Sequence, residues 1–182
     1  MHEAGIYFSR RLCGGMSGKG EVMGGEIAMN LEVLPAQVED KPVLRHLLQL
    51  CLHDYSDFNG KDVNDQGLFD YPYLDYYWTE ADRFPFLVRV EGKLAGVVLV
   101  RQLELDVTEP LWQMAEFFIL RKYRQQRIGR EVAHRMFDQF EGRWQVTPQE
   151  GNLPAQQFWQ RVISDYPKGN HRIFAHQATR EA

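Results

Sequence analysis

The residues whose types and spacing point most clearly to chemistry form a basic run about two thirds of the way along the chain. Five cations fall within ten residues: Arg121, Lys122, Arg124, Arg127 and Arg130. The run passes from a strand-like stretch into a helix-like one, and the first turn of a helix has unpaired N–H groups and a positive dipole end. Gly129 lets the backbone approach a ligand closely. This pattern predicts a phosphate site; the alternative is a solvated basic helix start.

A second segment, residues 53–82, combines negative charge with aromatic rings. It holds eight acidic and eight aromatic residues against one lysine. Carboxylates interleaved with aromatic faces favour a cationic, partly apolar ligand through Coulomb attraction and cation–π contact. We predict that an amine is bound by Asp70, Tyr73, Asp75, Tyr77 and Trp78. In the alternative, the acids lie on a solvated loop and the rings of residues 69–78 are core or dimer contacts, giving a possible homodimer.

Composition limits the classes of protein to consider. The chain has 182 residues, 44% apolar and 25% charged, which is typical of one globular domain. A net charge of −4 argues against general nucleic-acid binding. Cys13 and Cys51 form no CxxC pair, and no zinc-ligand spacing is present, so we expect a reduced, cytoplasmic protein without a metal. No apolar run reaches the roughly 18 residues that span a bilayer, so no membrane partner is expected.

The elements that must position these residues alternate along the chain. Hydrophobic periodicity predicts strands at 29–36, 111–120, 143–148 and 171–178, and a hairpin over 85–103. It predicts helices over 38–58, 126–140 and 152–166, and a short one after Pro72. We therefore predict an α/β (α+β) domain, with a mixed sheet and helices on both faces.

The first 28 residues differ from the rest. They contain seven of the 15 glycines and show neither a helical nor a strand period. Such a segment buries too little apolar area to offset its ordering entropy. We predict a flexible leader over 1–28 and a single domain over 29–182, with a natural start at Met29 as a real possibility.

Three features together resemble one superfamily. "YRQQRIGR" (123–130) resembles the Q/R-x-x-G-x-G/A acetyl-CoA signature of the GNAT N-acetyltransferases. "EFFILRK" before it resembles the fourth strand of that fold, and Asn152, Ala155 and Phe158 resemble an N-x-x-A-x-x-F helix motif. The order of elements also fits. The resemblance implies a mixed sheet of about 6–7 strands with about four helices, covering roughly Met29 to the end.

The resemblance also implies a pose for acetyl-CoA as co-substrate. Amides of the loop after the fourth strand would bind the diphosphate, with charge from the arginines. The open backbone of that strand would pair with the pantetheine arm. The implied cofactor residues are Phe117, Phe118, Ile119, Arg124, Gln125, Gln126, Arg127, Ile128, Gly129, Arg130, Asn152 and Phe158.

The sequence departs from the family pattern at three catalytic or binding positions. Arg127 replaces the first signature glycine; an arginine is tolerated there in helical φ/ψ. Trp159 stands where many members have a tyrosine acid, so Tyr166 or a water would protonate the thiolate. Gln113 occupies the usual glutamate slot, so Glu116 becomes the candidate base, with raised pKa if buried. Alternatively Glu116 is a strand carboxylate satisfied by its neighbours.

Two classes of function follow. The first is an N-acetyltransferase that passes acetyl from acetyl-CoA to a small-molecule or protein amine by direct attack, since no Ser, Cys and His arrangement suggests a covalent acyl-enzyme. The alternative is a non-catalytic acyl-CoA-binding or protein-interaction module with the same fold, for which Trp159 and Gln113 are the reasons.

Overall fold

The computed structural model describes residues 6–9, 29–104, 109–167 and 174–175. The strands in chain order are β1 (Ile6–Ser9), β2 (Leu31–Pro35), β3 (Arg83–Val90), β4 (Lys93–Glu104), β5 (Leu111–Ile119), β6 (Arg143–Val146) and β7 (Phe174–Ala175). The α-helices are α1 (Lys41–Asn59), α2 (Ile128–Gln139) and α3 (Leu153–Ser164). Short 3-10 helices cover Val38–Asp40, Leu74–Trp78 and Arg121–Tyr123.

The seven strands form one mixed sheet in the order β2-β3-β4-β5-β6-β1-β7. Strands β5 and β6 are parallel, and the other neighbours are antiparallel. Strands β3 and β4 form the predicted hairpin, in which Glu91 and Gly92 both have positive φ (51° and 71°), as a tight turn between twisted strands requires. The predicted α/β class and mixed sheet are confirmed; the helices described are three α-helices and three 3-10 segments.

Helices cover both faces of the sheet. On one face, α1 buries Leu44, Leu48 and Cys51 against apolar residues of β3, β4 and β5. On the other, α2 and α3 pack Val132, Phe137, Ile163 and their neighbours against the opposite side of the same strands. We call these the α1 face and the α2/α3 face. No helix among the described residues is long and apolar enough to cross a bilayer.

Local signals set the helix ends. Pro42 lies in the first turn of α1, where its missing N–H costs nothing, and Gly60 ends the helix in the left-handed conformation at φ 61°. The predicted cap of α3 is confirmed, because the Asn152 side-chain oxygen accepts from the Ala155 amide at 3.0 Å. These signals fix where the chain leaves α1 and where it enters α3.

One strand lies inside the predicted leader. Residues 6–9 pair with both β6 and β7, and Phe8 is only 2% exposed against Phe137. The prediction of a flexible leader is wrong for these four residues, because pairing with β6 supplies the burial that the local sequence lacks. The rest of 1–28 lies outside the described residues, so the leader and the Met29 start stay predictions there. The predicted last strand is described only at 174–175.

Candidate active site

Strand β5 has an open edge where it outruns its parallel neighbour. Pairing between β5 and β6 ends at Met114 and Val146, while β5 continues to Ile119. The backbone of Ala115–Ile119 therefore has no strand partner on that side within the described residues. Strand edges of this kind can pair with an extended ligand. We call this stretch the open edge.

A β-bulge at Ala115 decides which face the next side chain occupies. Leu99 pairs with Glu116 and Val100 pairs with Met114, so β5 has one extra residue between them. Without the bulge, residues two apart would share a face. Instead Met114 packs on the α2/α3 face, whereas the Glu116 carboxylate lies on the α1 face, 4.0 Å from the Cys51 sulfur. The bulge thus presents a carboxylate beside the open edge.

The loop that follows β5 is held in an unusual backbone conformation. Gln125 and Arg127 have φ values of 61° and 62°, in the left-handed region that non-glycine residues rarely adopt. Arg127 was expected in helical φ/ψ, and that expectation is wrong: it keeps the left-handed geometry that the replaced glycine would adopt freely. Residues held in this way often lie at functional sites.

Two of the arginines are tied to α1. The Asp54 carboxylate accepts from Arg121 at 2.8 Å and from Arg124 at 2.6 Å, and these contacts hold the pKa of Asp54 below its usual range against the opposing effect of burial. Arg124 also donates to the Ile119 carbonyl at 2.7 Å. Arg124, predicted to bind the cofactor, therefore joins β5, the loop and α1.

The remaining cations of the run differ in their partners. Arg130 lies 3.6 Å from Asp165 beyond α3, in a half-exposed pair. Arg127 is exposed, and no carboxylate of the described residues lies within ion-pair distance of it. The first amide of α2 with a carbonyl partner is that of Glu131, which donates to Arg127 at 3.0 Å. The amides of Ile128, Gly129 and Arg130 precede it, at the positive end of the helix dipole.

Gly129 packs closely against Phe158. A Cβ added at this position would lie 3.2 Å from the Phe158 ring, so the ring would have to shift by a few tenths of an ångström to accept a side chain. The same ring lies beside Phe117 of the open edge, with ring centroids 5.8 Å apart. The structure therefore brings together the predicted cofactor residues at the open edge, the start of α2 and the start of α3. Asn152 caps α3 within this group and is 8% exposed.

Glu116 is a partly buried residue whose carboxyl has few neighbours to hold its charge. Burial raises its pKa to about 7, opposed by a hydrogen bond from Tyr71 and by the more distant charge of Lys61. Burial also raises the pKa of the Cys51 thiol and the Tyr55 hydroxyl, and the nearby Glu116 charge adds to both shifts. A carboxyl poised near neutral pH suits general-base chemistry.

Two tyrosines from the acidic-aromatic segment reach this carboxyl. Burial raises the pKa of Tyr71 well above its usual value and that of Tyr77 to about 12, with the Glu116 charge as the second cause in each. The neighbouring Tyr77 hydroxyl adds to the rise in the pKa of Tyr71. Tyr77 was among the predicted substrate residues; Tyr71 was not, because nothing in the local sequence distinguishes it from Tyr73. The third buried hydroxyl, Tyr55, bonds to Cys51.

The other predicted substrate residues have structural partners. Asp75 pairs with Lys41 at 2.6 Å, and Asp70 accepts from Asn64 at 2.9 Å. The Trp78 indole donates to the Ala36 carbonyl at 3.1 Å. Tyr73 is 55% exposed and stacks edge-on against Tyr71. The segment is therefore less available as an amine-binding wall than its composition suggests.

Tyr166 does not reach the carboxyl site. Its hydroxyl donates to Asp138 near the end of α2, at 2.7 Å, and its ring packs on His134 and Phe137. This geometry gives no support to Tyr166 as the acid, because α2 starts at the open edge and Asp138 lies ten residues further along it. Trp159 is buried and packs edge-on against Phe117, with centroids 4.9 Å apart.

Comparison with known families decides the class of this site. The sequence model described as the acetyltransferase (GNAT) family matches residues 45–163. The chain belongs to the GNAT acetyltransferase family. The match runs from Arg45 in the first turns of α1 to Ile163 near the end of α3, and so includes the open edge and the basic loop. A search of curated protein sequences finds no significant match.

Solved structures show the same GNAT fold at low sequence identity. A possible acetyltransferase from Clostridium difficile shares 11% identity, with 81% of this chain and 97% of the other covered, at a TM-score of 0.58. A ribosomal-protein-alanine N-acetyltransferase from Brucella melitensis biovar Abortus shares 14%, covering 72% and 89%, at 0.51. An aminoglycoside acetyltransferase from an uncultured soil metagenomic sample, solved with sisomicin, shares 17%, covering 84% and 97%, at 0.51.

Proposed function

We propose that this GNAT protein is an N-acetyltransferase that moves an acetyl group from acetyl-CoA to an amine. The observation that carries the proposal is the position of Glu116: the bulge presents a carboxyl with a pKa of about 7 directly beside the open edge of β5. A base near neutral pH is what removal of a proton from an alkylammonium requires.

The cofactor side of the site fits acetyl-CoA. The open edge offers backbone groups that have no strand partner among the described residues, and strand alternation points those of Phe117 and the amide of Ile119 away from β4. The Ile119 carbonyl also points away from β4, but it already accepts from Arg124. The Phe117 groups and the Ile119 amide would pair with the pantetheine arm. The amides from Gln125 to Arg130 would bind the diphosphate, with Arg127 as the exposed cation beside them. Phe158, packed on Gly129 and Phe117, would form one wall of the channel.

The protein's own groups manage the proton. Glu116 accepts it from the ammonium of the acceptor, directly or through a water, and Tyr71 holds the carboxyl in place. Acetyl-CoA supplies the acetyl group as a thioester, so that a C–N bond forms and the C–S bond breaks. The second proton lost by the nitrogen passes to the sulfur, directly or through water, and coenzyme A leaves as the thiol. Cys51 is buried and Glu116 is partly buried, which limits the access of bulk water to the base.

The second candidate is an acyl-CoA-binding module without catalysis. Trp159 favours it, because this buried indole fills the position of a possible acid. Both candidates predict binding of acetyl-CoA, so binding alone does not separate them. Turnover separates them, since only the transferase releases free thiol when an amine is added.

The deciding experiment is thiol release from acetyl-CoA with a panel of amines. The wild type should turn over at least one amine, and Glu116→Gln should reduce kcat/KM by about 10²–10⁴-fold while keeping its affinity for acetyl-CoA. Glu32→Gln, on the far edge strand β2, is the matched control and should behave as the wild type. Full activity in Glu116→Gln would reject Glu116 as the base; acetyl-CoA binding without turnover of any amine would favour the binding module.

A further inference from the structure

Four polar side chains form a row across the sheet, on the face that holds Glu116. Cross-strand register places Arg83 opposite Arg101, Arg101 opposite Gln113, and Gln113 opposite Gln145. Residues directly opposite one another share a face. Leu99 packs on the α1 face, so Arg101, two residues further along β4, faces the same way. We call these four residues the polar row.

The two arginines of the row differ in how their charges are balanced. Arg83 pairs with Glu80, lies against the rings of Tyr76 and Tyr77, and is also stabilised by the charge of Asp82. Arg101 is half-buried and donates its Nε to the neutral Gln113 side-chain oxygen. Within the described parts of the chain, no carboxylate lies within ion-pair distance of Arg101.

This arrangement is costly without an anion. Like charges directly opposite each other on neighbouring strands are destabilising. A partly desolvated cation without a counter-ion adds to that cost. A guanidinium presents a planar fork of donors, and only its Nε is used by Gln113. The remaining N–H groups match a carboxylate in geometry and charge.

The acetyl-CoA phosphates are too far away to supply that anion. The basic loop follows the end of β5 at Ile119, whereas Arg101 pairs with Gln113 near its start. Six residues of strand separate these two points, which is about 20 Å. The anion must therefore come from the other substrate or from another molecule on the acceptor side.

The distance from Arg101 to the base is of the right order for one small acceptor. Leu99 is opposite Glu116, and Arg101 lies two residues beyond Leu99, about 7 Å along the strand. Tyr77 connects the two, because the charges of both Glu116 and Arg101 act on its hydroxyl. An acceptor with its amine at Glu116 would extend toward the polar row past Tyr77.

We propose that the acceptor is an amine that also carries a carboxylate, and that Arg101 binds that carboxylate while the amine lies at Glu116. This inference rests on the proposed acetyltransferase function. It gives Gln113 a role as the residue that orients Arg101. It also makes a polycationic acceptor unfavourable, since its further positive charges would meet Arg83 and Arg101.

The test uses acceptors that differ only in the carboxylate. Glycine, β-alanine, γ-aminobutyrate and δ-aminovalerate are each compared with their carboxamide in thiol release from acetyl-CoA. In the wild type, at least one acid should exceed its amide in kcat/KM by about tenfold to a hundredfold. The chain length of the best acid then reports the spacing between base and guanidinium.

Variants of Arg101 separate recognition from folding. Arg101→Gln should raise KM for the acid by a similar factor and leave the amide unchanged, whereas Arg101→Lys should fall between. Arg89→Gln is the control, since Arg89 is an arginine of β3 that donates to the Gly92 carbonyl away from the row. If Arg101→Gln does not fold, the comparison of acids with their amides in the wild type and in Arg101→Lys still decides whether Arg101 binds the carboxylate.

The outcomes distinguish this inference from the proposed function. Turnover of acids and amides at equal kcat/KM would overturn the inference and leave the transferase standing. If no amine releases thiol, the transferase proposal fails, and calorimetric titration of the same pairs in the presence of coenzyme A decides the inference. Binding of an acid but not its amide, lost in Arg101→Gln, would support it; equal or no binding would overturn it.

Discussion

The two halves of the site are built in different ways. The half proposed to bind the cofactor comprises the open edge of β5, the basic loop and the starts of α2 and α3, so the groups that it offers are mainly backbone amides and carbonyls. The half proposed to bind the acceptor comprises Glu116, the tyrosines around it and the polar row, so the groups that it offers are side chains from four or more elements. We call them the cofactor half and the acceptor half. One half depends on local geometry, and the other on long-range contacts.

Asp54 shows that the halves are physically joined. It lies on α1, the helix that also supplies Cys51 and Tyr55 to the acceptor half, and it holds Arg121 and Arg124 of the basic loop. The comparison therefore raises a question about energy: whether a change in one half is felt in the other.

The largest effect is expected from Glu116→Gln, as a gain in stability with a loss of activity. The pKa of Glu116 is raised from 4.5 to about 7 on folding, so its contribution is fully favourable below 4.5 and is lost as the pH rises through 7. The neutral amide avoids that loss. We expect Glu116→Gln to be more stable than the wild type by roughly 3 kcal/mol at pH 8 and equally stable near pH 4.

The check is thermal and denaturant unfolding of both proteins across this range. The groups facing Glu116 are Cys51 and Tyr55 from α1, Tyr71 and Tyr77 from the segment before β3, and the more distant Lys61. The pKa values of Cys51, Tyr55, Tyr71 and Tyr77 are all raised further above this range, whereas that of Glu116 is raised into it. A difference in stability that stays constant with pH would show that the carboxyl is not desolvated, and would remove the physical basis for its role as a base.

Sequence predicted the cofactor half better than the acceptor half, for a physical reason. Gly129, the Asn152 cap and the strand before the basic run are local signals, and each element they predict is present within a few residues of the expected bounds. Even here Arg124 was assigned to a ligand, whereas it bonds Asp54, seventy residues away. The sequence shows where charged residues occur, but the fold determines which of them form ion pairs.

The acceptor half was predicted only in part. The sequence named Glu116 as the candidate base and Tyr77 as a substrate residue, but the residues that surround Glu116 meet it only through the fold. The bulge at Ala115 places Glu116 on the α1 face, and no pattern in the sequence predicted the bulge. The proposed role of Arg101 follows only from its pairing with Arg83 and Gln113 on the neighbouring strands. The same holds for β1, whose four residues lie in a glycine-rich segment and become a strand by pairing with β6. Composition alone had suggested an acidic wall that is mostly engaged in internal contacts.

A smaller effect is expected from Asp54→Asn, which weakens the ion pairs that connect α1 to the basic loop. The variant loses the charge in two hydrogen bonds to arginines that are themselves 73% and 40% exposed, so we expect a loss of only about 1–2 kcal/mol in stability. Because the basic loop is then less well held, the acetyl-CoA Kd should rise about tenfold. Asp57→Asn, exposed on the same helix, should change neither.

Calorimetric titration with acetyl-CoA, beside thermal unfolding, tests this prediction. The acceptor half should respond less: KM for the amine should stay within about twofold, since α1 still packs through Leu44, Leu48 and Cys51. A lower melting temperature with an unchanged acetyl-CoA Kd would show that the halves are energetically independent despite the shared helix.

The smallest effect is expected from substitution of Arg127, whose backbone conformation lowers stability while its side chain favours the binding of acetyl-CoA. Its left-handed conformation, φ 62°, costs about 1 kcal/mol that glycine would not incur. Arg127→Gly should therefore raise stability by somewhat less than 1 kcal/mol, since glycine also gains entropy when unfolded. Its acetyl-CoA Kd should rise, because the exposed cation next to the α2 amides is lost.

Comparison with Arg127→Ala separates these two contributions. Alanine removes the guanidinium but keeps the left-handed strain, so it should show the weaker binding without the gain in stability. If both variants bind acetyl-CoA as tightly as the wild type, Arg127 only occupies the glycine position and the diphosphate relies on backbone amides alone. If both bind more weakly to the same degree, this chain has exchanged backbone freedom for a charge, and the cofactor half too depends on a side chain.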